Sequence, residues 1–498
     1  MPAHAGFLLE KLMKWSEYQT NIFDFVEHGQ GNGIIEAVAG SGKTTTIAEA
    51  IKRVPQGCST LFLAFNKAIA EELKERGVNA RTFHSLTYTI TLRYMGADTV
   101  TSNKLDKIMR REFSFDHRMI YGTFVKKLVG LAKQVGIGCL VEDTDQRWAH
   151  LVEHHGLYIE DSDGTEAGGI ALARHLLNES NLSEMVDFDD LLYIPIKEDL
   201  FLPTFDYVFV DEAQDTNAIQ RAILKRIMKA NTRLIAVGDS GQAIYGFRGA
   251  DSNSMRLIQN EFNCSEFSLS VSYRCGSNIV AYANKWVPRI EARDGAQDGA
   301  VYNFEDEWDY EVFNPNDMVV CRTTQPLISL AFRLLRQGIP ATVVGREIGT
   351  GLKSLVKKMK AMNLDDLEGR LTRWLEGERK RAKERDNEAL AEAQSDRVRC
   401  ITILMDDLRA YSDASTIEDL NNSIDFLFSN KDRAIKLMTI HKSKGLEADR
   451  VFWLDRESCP LKWAKKDWEQ QQEANLCYVA TTRARNELIM LQPKVEHV

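Results

Sequence analysis

Residues 33–48 constrain this chain more than any other stretch. An apolar run, Gly33–Val38, leads into Ala39-Gly40-Ser41-Gly42-Lys43-Thr44, and Thr45-Thr46-Ile47-Ala48 then opens a helical pattern. Strand, glycine turn and helix in that order are the setting in which a phosphate-binding loop works. Glycines let backbone N–H groups close on phosphate oxygens, and the helix N-terminus adds the positive end of its dipole. Lys43 is placed to reach the β- and γ-phosphates of a nucleotide, and the Thr44 hydroxyl to ligate Mg²⁺. The first position of the usual pattern is Ala37 rather than Gly; the closing Gly42-Lys43-Thr44 carries most of the chemistry.

Other short β-branched or aromatic runs have the same character: Thr60–Phe65, Tyr207–Val210, Leu234–Val237, Phe267–Ser272, Asp317–Cys321, Ala341–Val344, Ile435–Ile440, Val451–Leu454 and Leu488–Leu491. Apolar runs of this length separated by helical stretches predict buried parallel strands, hence an α/β fold. They fall into two clusters, each interrupted by a strand-poor, helical stretch. At 498 residues the chain has room for several domains. The reading is two α/β domains, each with a mainly helical insert. The first occupies 1–88 and 187–272, with its insert at 89–186. The second occupies 273–345 and 432–498, with a shorter insert at 346–431.

The nucleotide loop needs a second half. Tyr207-Val208-Phe209-Val210 ends in Asp211-Glu212-Ala213-Gln214-Asp215. A carboxylate at a strand's end is where a second Mg²⁺ ligand belongs, which fits Asp211. Glu212, one residue on, is placed to polarise an attacking water.

Composition excludes several classes. With 44% hydrophobic and 27% charged residues the chain is neither disordered nor fibrous. Its net charge of −9 rules out a basic nucleic-acid coat, but not a local basic groove. No apolar run approaches the ~20 residues of a membrane span, and the opening residues do not have the form of a signal peptide. The eight cysteines are scattered without a C-x-x-C pair, so reduced thiols in a cytoplasmic protein are expected.

An ordered series of strings then resembles the superfamily 1A DNA helicases of the UvrD/Rep/PcrA family. Phe65-Asn66-Lys67-Ala68 is similar to motif Ia, in a variant close to the F-box helicase branch, and Thr82-Phe83-His84-Ser85 to motif Ib. Asp187-Phe188-Asp189-Asp190-Leu191-Leu192 is similar to the segment before the Walker B strand, and Gly238–Ala250 to motif III. Ser272-Tyr273-Arg274 resembles motif IV, Thr439–Glu447 motif V and Tyr478–Ala484 motif VI. Phe247 stands where relatives usually carry Trp, and Asn475 where a basic residue is common.

The resemblance implies two RecA-like P-loop domains with parallel sheets. It implies MgATP held by Lys43, Thr44 and Asp211, with Glu212 as general base and Gln242 at the γ-phosphate. Gln19 would read adenine, Tyr273 would stack on it, Glu447 would bind the ribose, and Arg274 and Arg483 would act as arginine fingers. Single-stranded DNA would stack on Phe65, Tyr245 and Phe247 and meet Asn66, His84, Arg248, His441 and Lys444. From Phe65 alone core packing is an equal reading, because it ends an apolar strand. The implied activity is 3′→5′ travel with unwinding at duplex junctions, by a monomer serving replication, repair or recombination. The alternative is a translocase that strips recombinase or other proteins from single strands with little unwinding. The stretch after Arg483 is too short for a fused nuclease.

Three further features read as surface. His150, His154 and His155 fall on one helical stretch without further metal ligands. Glu376–Arg399 is dense in interspersed charge, as in a solvated helix or a helical hairpin arm that meets DNA. Lys462–Trp468 mixes bases with tryptophans, as in an amphipathic surface helix or a contact with duplex DNA.

Overall fold

Six strands in the first half of the chain gather into one sheet: β1 (Asn32–Ala37), β2 (Thr60–Leu63), β3 (Ala80–Arg81), β4 (Phe205–Val210), β5 (Met228–Gly238) and β6 (Cys264–Leu269). The computed structural model describes residues 15–159, 163–244, 253–304, 308–384, 388–411, 416–429, 434–462 and 464–493. Within it the chain divides into two units, residues 1–270 and 271–498.

In the first unit the strand order is β3-β2-β4-β5-β1-β6, and every pair is parallel. Successive strand side chains point to opposite faces, and this sorts the apolar residues into two layers. Ile34, Leu61, Leu63, Val208, Val210, Leu234 and Ala236 belong to one buried cluster. Ile35, Ala37, Phe62, Phe209, Ile235 and Val237 belong to another. Burial on both faces is why these strands read as unbroken apolar runs. Helices Glu17–His28, Lys43–Ile51 and Lys67–Glu75 supply the second layer. Helices Phe83–Met95, Ala218–Ile227 and Ser254–Glu261 supply the first.

The four helices Lys104–Glu112, Phe115–Val135, Asp145–His154 and Glu166–Leu182 extend that first layer. Their Val125, Leu128, Trp148 and Leu176 are in the same cluster as the strands. They are also tied to it by charge. Lys133 Nζ donates to Asp187 Oδ2 at 2.8 Å and to Asp190 Oδ1 at 2.7 Å. Lys104 Nζ donates to Asp190 Oδ2 at 2.6 Å and to the Ser180 carbonyl at 2.7 Å. Burial opposes the charge on Asp190, but the two ammonium groups outweigh it and hold its carboxyl below the usual carboxylate range.

The second unit opens with a small parallel pair, β7 (Val271–Ser272) and β8 (Glu291–Ala292). A larger parallel sheet follows, built from β9 (Ala300–Phe304), β10 (Met318–Cys321), β11 (Ala341–Val343), β12 (Ile435–Thr439), β13 (Ala448–Leu454) and β14 (Ala484–Leu491). Its order is β11-β12-β10-β13-β14-β9. Helices Arg346–Met359, Leu364–Glu384, Glu388–Tyr411 and Ile417–Leu427 pack on this sheet. Leu352, Val356, Leu371, Ile401, Leu404 and Ile424 share one cluster with Val319, Cys321 and Leu437. Asp396, on the third of these helices, accepts from the backbone N–H groups of Thr324 and Gln325 at 3.1 and 2.9 Å. It thereby caps helix Gln325–Arg336 from outside.

Several expectations change. The run Phe267–Ser272 is two strands, because the chain leaves the first sheet at Leu269 and Val271–Ser272 pairs with Glu291–Ala292. The sequence reading had no β3, β8 or β9. The described residues of the charge-dense segment Glu376–Arg399 belong to two helices, Leu364–Glu384 and Glu388–Tyr411, that pack on each other and have a buried side: Glu378, Ala382, Gln394, Ser395 and Val398 are all buried. In the Lys462–Trp468 stretch no helix runs before Asp467, and Trp463 lies outside the described residues.

Candidate nucleotide site and the adjoining groove

Strand order sets the site. β1 and β4 both pair with β5, with Glu36 beside Gly238 and Val210 beside Ala236. The loops that leave β1, β4 and β5 therefore emerge at the same carboxyl edge of a parallel sheet, where such sheets bind ligands. Gly40 and Gly42 carry φ of +73° and +76°, a left-handed turn that glycine takes without strain. Gly42 caps helix Lys43–Ile51 with no side-chain hydrogen bond, and the first turn of a helix capped in this way suits an anion. The Ser41 hydroxyl is buried with no hydrogen-bond partner. A buried donor of this kind, at a helix N-terminus, fits a phosphate oxygen. Ala39 is buried and Thr45 exposed beside it.

The acidic half meets this loop directly. Thr44 Oγ1 donates to Asp211 Oδ2 at 3.1 Å. Lys43 Nζ lies 3.6 Å from Glu212 Oε1. Burial pushes the Asp211 carboxyl up to about 6, the Glu212 charge adds to the rise, and Lys43 opposes it. A hydroxyl and a buried carboxylate short of positive charge make a donor set that suits a small hard cation such as Mg²⁺. Glu212 has a left-handed backbone, φ 51°, uncommon outside glycine. Gln19 is buried next to the loop. Its Oε1 accepts from the Ser16 N–H at 3.0 Å and its Nε2 donates to Thr46 Oγ1 at 2.9 Å. Gln242 is buried and donates to Asp239 Oδ2 at 2.6 Å.

Beside these carboxylates opens a cavity of about 860 Å³, lined among others by Phe65, Asn66, His84, Phe188, Asp211 and Glu212. Phe65 is 50% exposed, so the core-packing alternative is dropped. Asn66 caps helix Lys67–Glu75, its Oδ1 accepting from the Ile69 N–H at 2.9 Å. The His84 ring stacks on Phe188, with centroids 3.8 Å apart and planes 20° from parallel. Burial lowers His84 to about 4, so the ring is neutral at pH 7. Phe188 is 60% exposed, and the sequence reading assigned it no role. Asp187 and Asp190 are held by buried lysines, which leaves Phe188 facing out, and that pairing gives no local sign in the sequence. Tyr245, Phe247 and Arg248 lie outside the described residues.

In the second unit Arg274, Glu447 and Arg483 come together. Arg274 pairs with Glu447 and donates to the Thr482 carbonyl at 3.2 Å. Arg483 is buried, with its guanidinium on the carbonyls of Val479 and Leu446, both at 2.9 Å. Burial disfavours the Glu447 carboxylate, but hydrogen bonds from Arg485 and the charges of Arg274 and Arg485 prevail and hold it below the usual range. Arg485 donates to Glu447 Oε1 at 2.7 Å. Tyr273, next to this group in sequence, is 41% exposed. His441 lines a separate cavity of about 400 Å³ with Thr324, Asp396 and Arg397. Lys444, just after the short helix Ile440–Ser443, is half-buried.

Comparison with known proteins fits this geometry. Residues 18–263 match the UvrD/REP helicase N-terminal domain, and residues 346–494 the UvrD-like helicase C-terminal domain. A probable DNA helicase II homolog of Mycoplasma genitalium is 28% identical over 53% of this chain and 42% of its own length. F-box DNA helicase protein 1 of Schizosaccharomyces pombe is 24% identical over 92% of this chain and 55% of its own. The ATP-dependent DNA helicase Rep of Salmonella typhimurium is 27% identical over 52% of this chain and 41% of its own. The chain spans about half the length of these relatives. With the family's two domain models matched in order along its length, the chain belongs to the UvrD/Rep helicase family.

Proposed function

We propose that this protein is an ATP-driven DNA helicase that moves 3′→5′ on a single strand and opens the duplex ahead of it. One observation supports this above the rest: the Asp211–Glu212 pair and the aromatic wall of Phe65, His84 and Phe188 line the same cavity. Hydrolysis at one end can then be felt by a strand held at the other.

In this reading the first-turn N–H groups after Gly42, the Ser41 hydroxyl and Lys43 bind the triphosphate. Thr44 and Asp211 would hold Mg²⁺, which neutralises phosphate charge when bound. Glu212 takes the proton of the attacking water. Arg274 and Arg483 supply positive charge to the transition state, a contribution of about 10³–10⁵ in rate for arginine fingers. Arg274 has to exchange its hold on Glu447 for the phosphate, which frees Glu447 for the ribose. Gln19 and Tyr273 are assigned to the adenine. On the strand side, stacked aromatics grip bases without regard to sequence. Asn66, Arg248, His441 and Lys444 are assigned to its backbone, and Tyr245 and Phe247 to further stacking.

Duplexes tailed on one end or the other test this directly. With ATP, the 3′-tailed substrate should be unwound and the 5′-tailed one left intact, and Lys43→Ala should abolish both unwinding and DNA-stimulated ATP hydrolysis. Opening of the 5′-tailed duplex alone would reverse the polarity. Filament clearance without strand separation would favour the protein-stripping translocase.

A further inference from the structure

We propose that Gln214 is a positioning residue: it aims the Glu212 carboxylate and ties it to the loop that carries Gln242. The inference rests on the hydrolase reading and adds to it a residue with its own role.

Gln214 is 1% exposed, on the short turn Ala213–Asp215 just after Glu212. Its Oε1 accepts from the Asp239 backbone N–H at 3.0 Å. A backbone N–H can only donate, so the amide oxygen has to face Asp239 and the NH₂ has to face away. On that other side Nε2 donates to Glu212 Oε2. The polarity of the side chain is thus fixed by its partners.

Little slack remains around it. A Cβ on Gly238 would come within 2.5 Å of Gln214 Oε1 and 3.0 Å of its backbone nitrogen, so the end of β5 approaches as closely as glycine permits. Glu212 is fixed from below by its left-handed backbone. Its two oxygens are divided: Oε1 faces Lys43 at 3.6 Å, and Oε2 faces Gln214. When Lys43 turns to a triphosphate, Oε1 becomes the oxygen that can accept a proton from water, while Oε2 stays held. This is the usual arrangement of a general base steadied by a third group.

The link continues beyond the base. Asp239 accepts from Gln242 Nε2 at 2.6 Å and from the Gly241 N–H at 3.0 Å. Ser240 donates to Glu36 on β1 through its N–H at 2.9 Å and its hydroxyl at 2.8 Å. A run of hydrogen bonds, buried from Gln214 onward to Gln242, therefore joins Glu212 to the segment directly ahead of Tyr245 and Phe247 in sequence.

The test is steady-state ATP hydrolysis with and without oligodeoxythymidine, comparing the parent with Gln214→Glu and Gln214→Met. Gln214→Glu keeps the volume and the acceptor for the Asp239 N–H but turns a carboxylate toward Glu212. It should lower the DNA-stimulated kcat about tenfold or more, part of what a general base contributes. Its KM for ATP should stay within about twofold of the parent value, because binding is untouched. Gln214→Met loses both bonds and should also shrink the ratio of stimulated to basal turnover. Both should bind a fluorescent ATP analogue; a buried carboxyl or an unpaired Asp239 N–H lowers the melting temperature, but both should be folded at the assay temperature, as circular dichroism reads. A parent-like kcat in Gln214→Glu, or a loss confined to KM, overturns the proposal. A parent protein without ATP turnover would refute the hydrolase reading itself, and the two failures are thereby distinguishable.

Discussion

Phe188 shows what one side chain can contribute to a groove. Its neighbours in sequence, Asp187 and Asp190, are committed to buried lysines, and this turns Phe188 outward onto His84. The neutral His84 ring brings no net charge to the wall, so the pair offers a face for stacking. Phe188→Ala should weaken single-strand binding by about 1–3 kcal/mol, or about 5- to 150-fold. The slope of log affinity against log salt should not change, because no phosphate contact is lost. Fluorescence anisotropy of a labelled oligonucleotide at several salt concentrations measures both quantities. Unchanged affinity would remove Phe188 from the interface, and a shallower slope would mean that it acts through a charge. The nucleotide loop was legible in the sequence because its chemistry is confined to adjacent residues. Phe188 was not, because its meaning depends on His84, 104 positions away.

At the level of elements, the sequence revealed the buried strands and concealed the exposed ones. Strands covered on both faces have to be apolar throughout, and each of those stood out. Strand β9 at the sheet edge keeps Tyr302, Asn303 and Phe304 exposed, and β3 has two residues; neither leaves a pattern. The Lys104–Lys133–Asp187–Asp190 group was equally hidden, since four charged residues in separate stretches give no local sign of pairing. Its geometry carries a prediction. Asp190 shares its two oxygens between Lys104 and Lys133, while Lys133 also holds Asp187. Lys133→Met keeps the length of the side chain and leaves carboxylate charge buried without its partner. That should cost about 3–5 kcal/mol of stability, read as a lower urea midpoint for the first unit. A loss of less than about 1 kcal/mol would class the group with surface pairs. The damage should reach function too, because Asp187 and Asp190 flank Phe188.

On the scale of the whole chain, helices divide into those that could be removed and those that complete a core. By sequence, residues 346–431 form a mainly helical insert, shorter than in relatives. In the second unit its Leu352, Val356, Ile401 and Leu404 lie in one cluster with Val319 and Cys321 of β10 and Leu437 of β12. Asp396 also satisfies the first N–H groups of helix Gln325–Arg336, which would otherwise be unpaired. A helix-rich stretch and an independent domain look alike in sequence, because hydrophobic periodicity gives the face of a helix but not what it packs against. Replacing 346–431 by a short Gly-Ser linker should therefore uncover buried leucines and valines on the sheet, each worth about 1.5–3 kcal/mol. A domain has only about 5–15 kcal/mol to lose. The shortened chain should lose the cooperative melting of the second unit and bind a hydrophobic dye, while the first unit, whose clusters include none of these residues, still melts cooperatively. Retention of a cooperative second transition in the shortened chain would mean that these helices are a separable domain after all. Hydrogen exchange offers a milder version of the same experiment. Amides of helices Arg346–Met359 and Glu388–Tyr411 should exchange through the same global opening as those of β10 and β12.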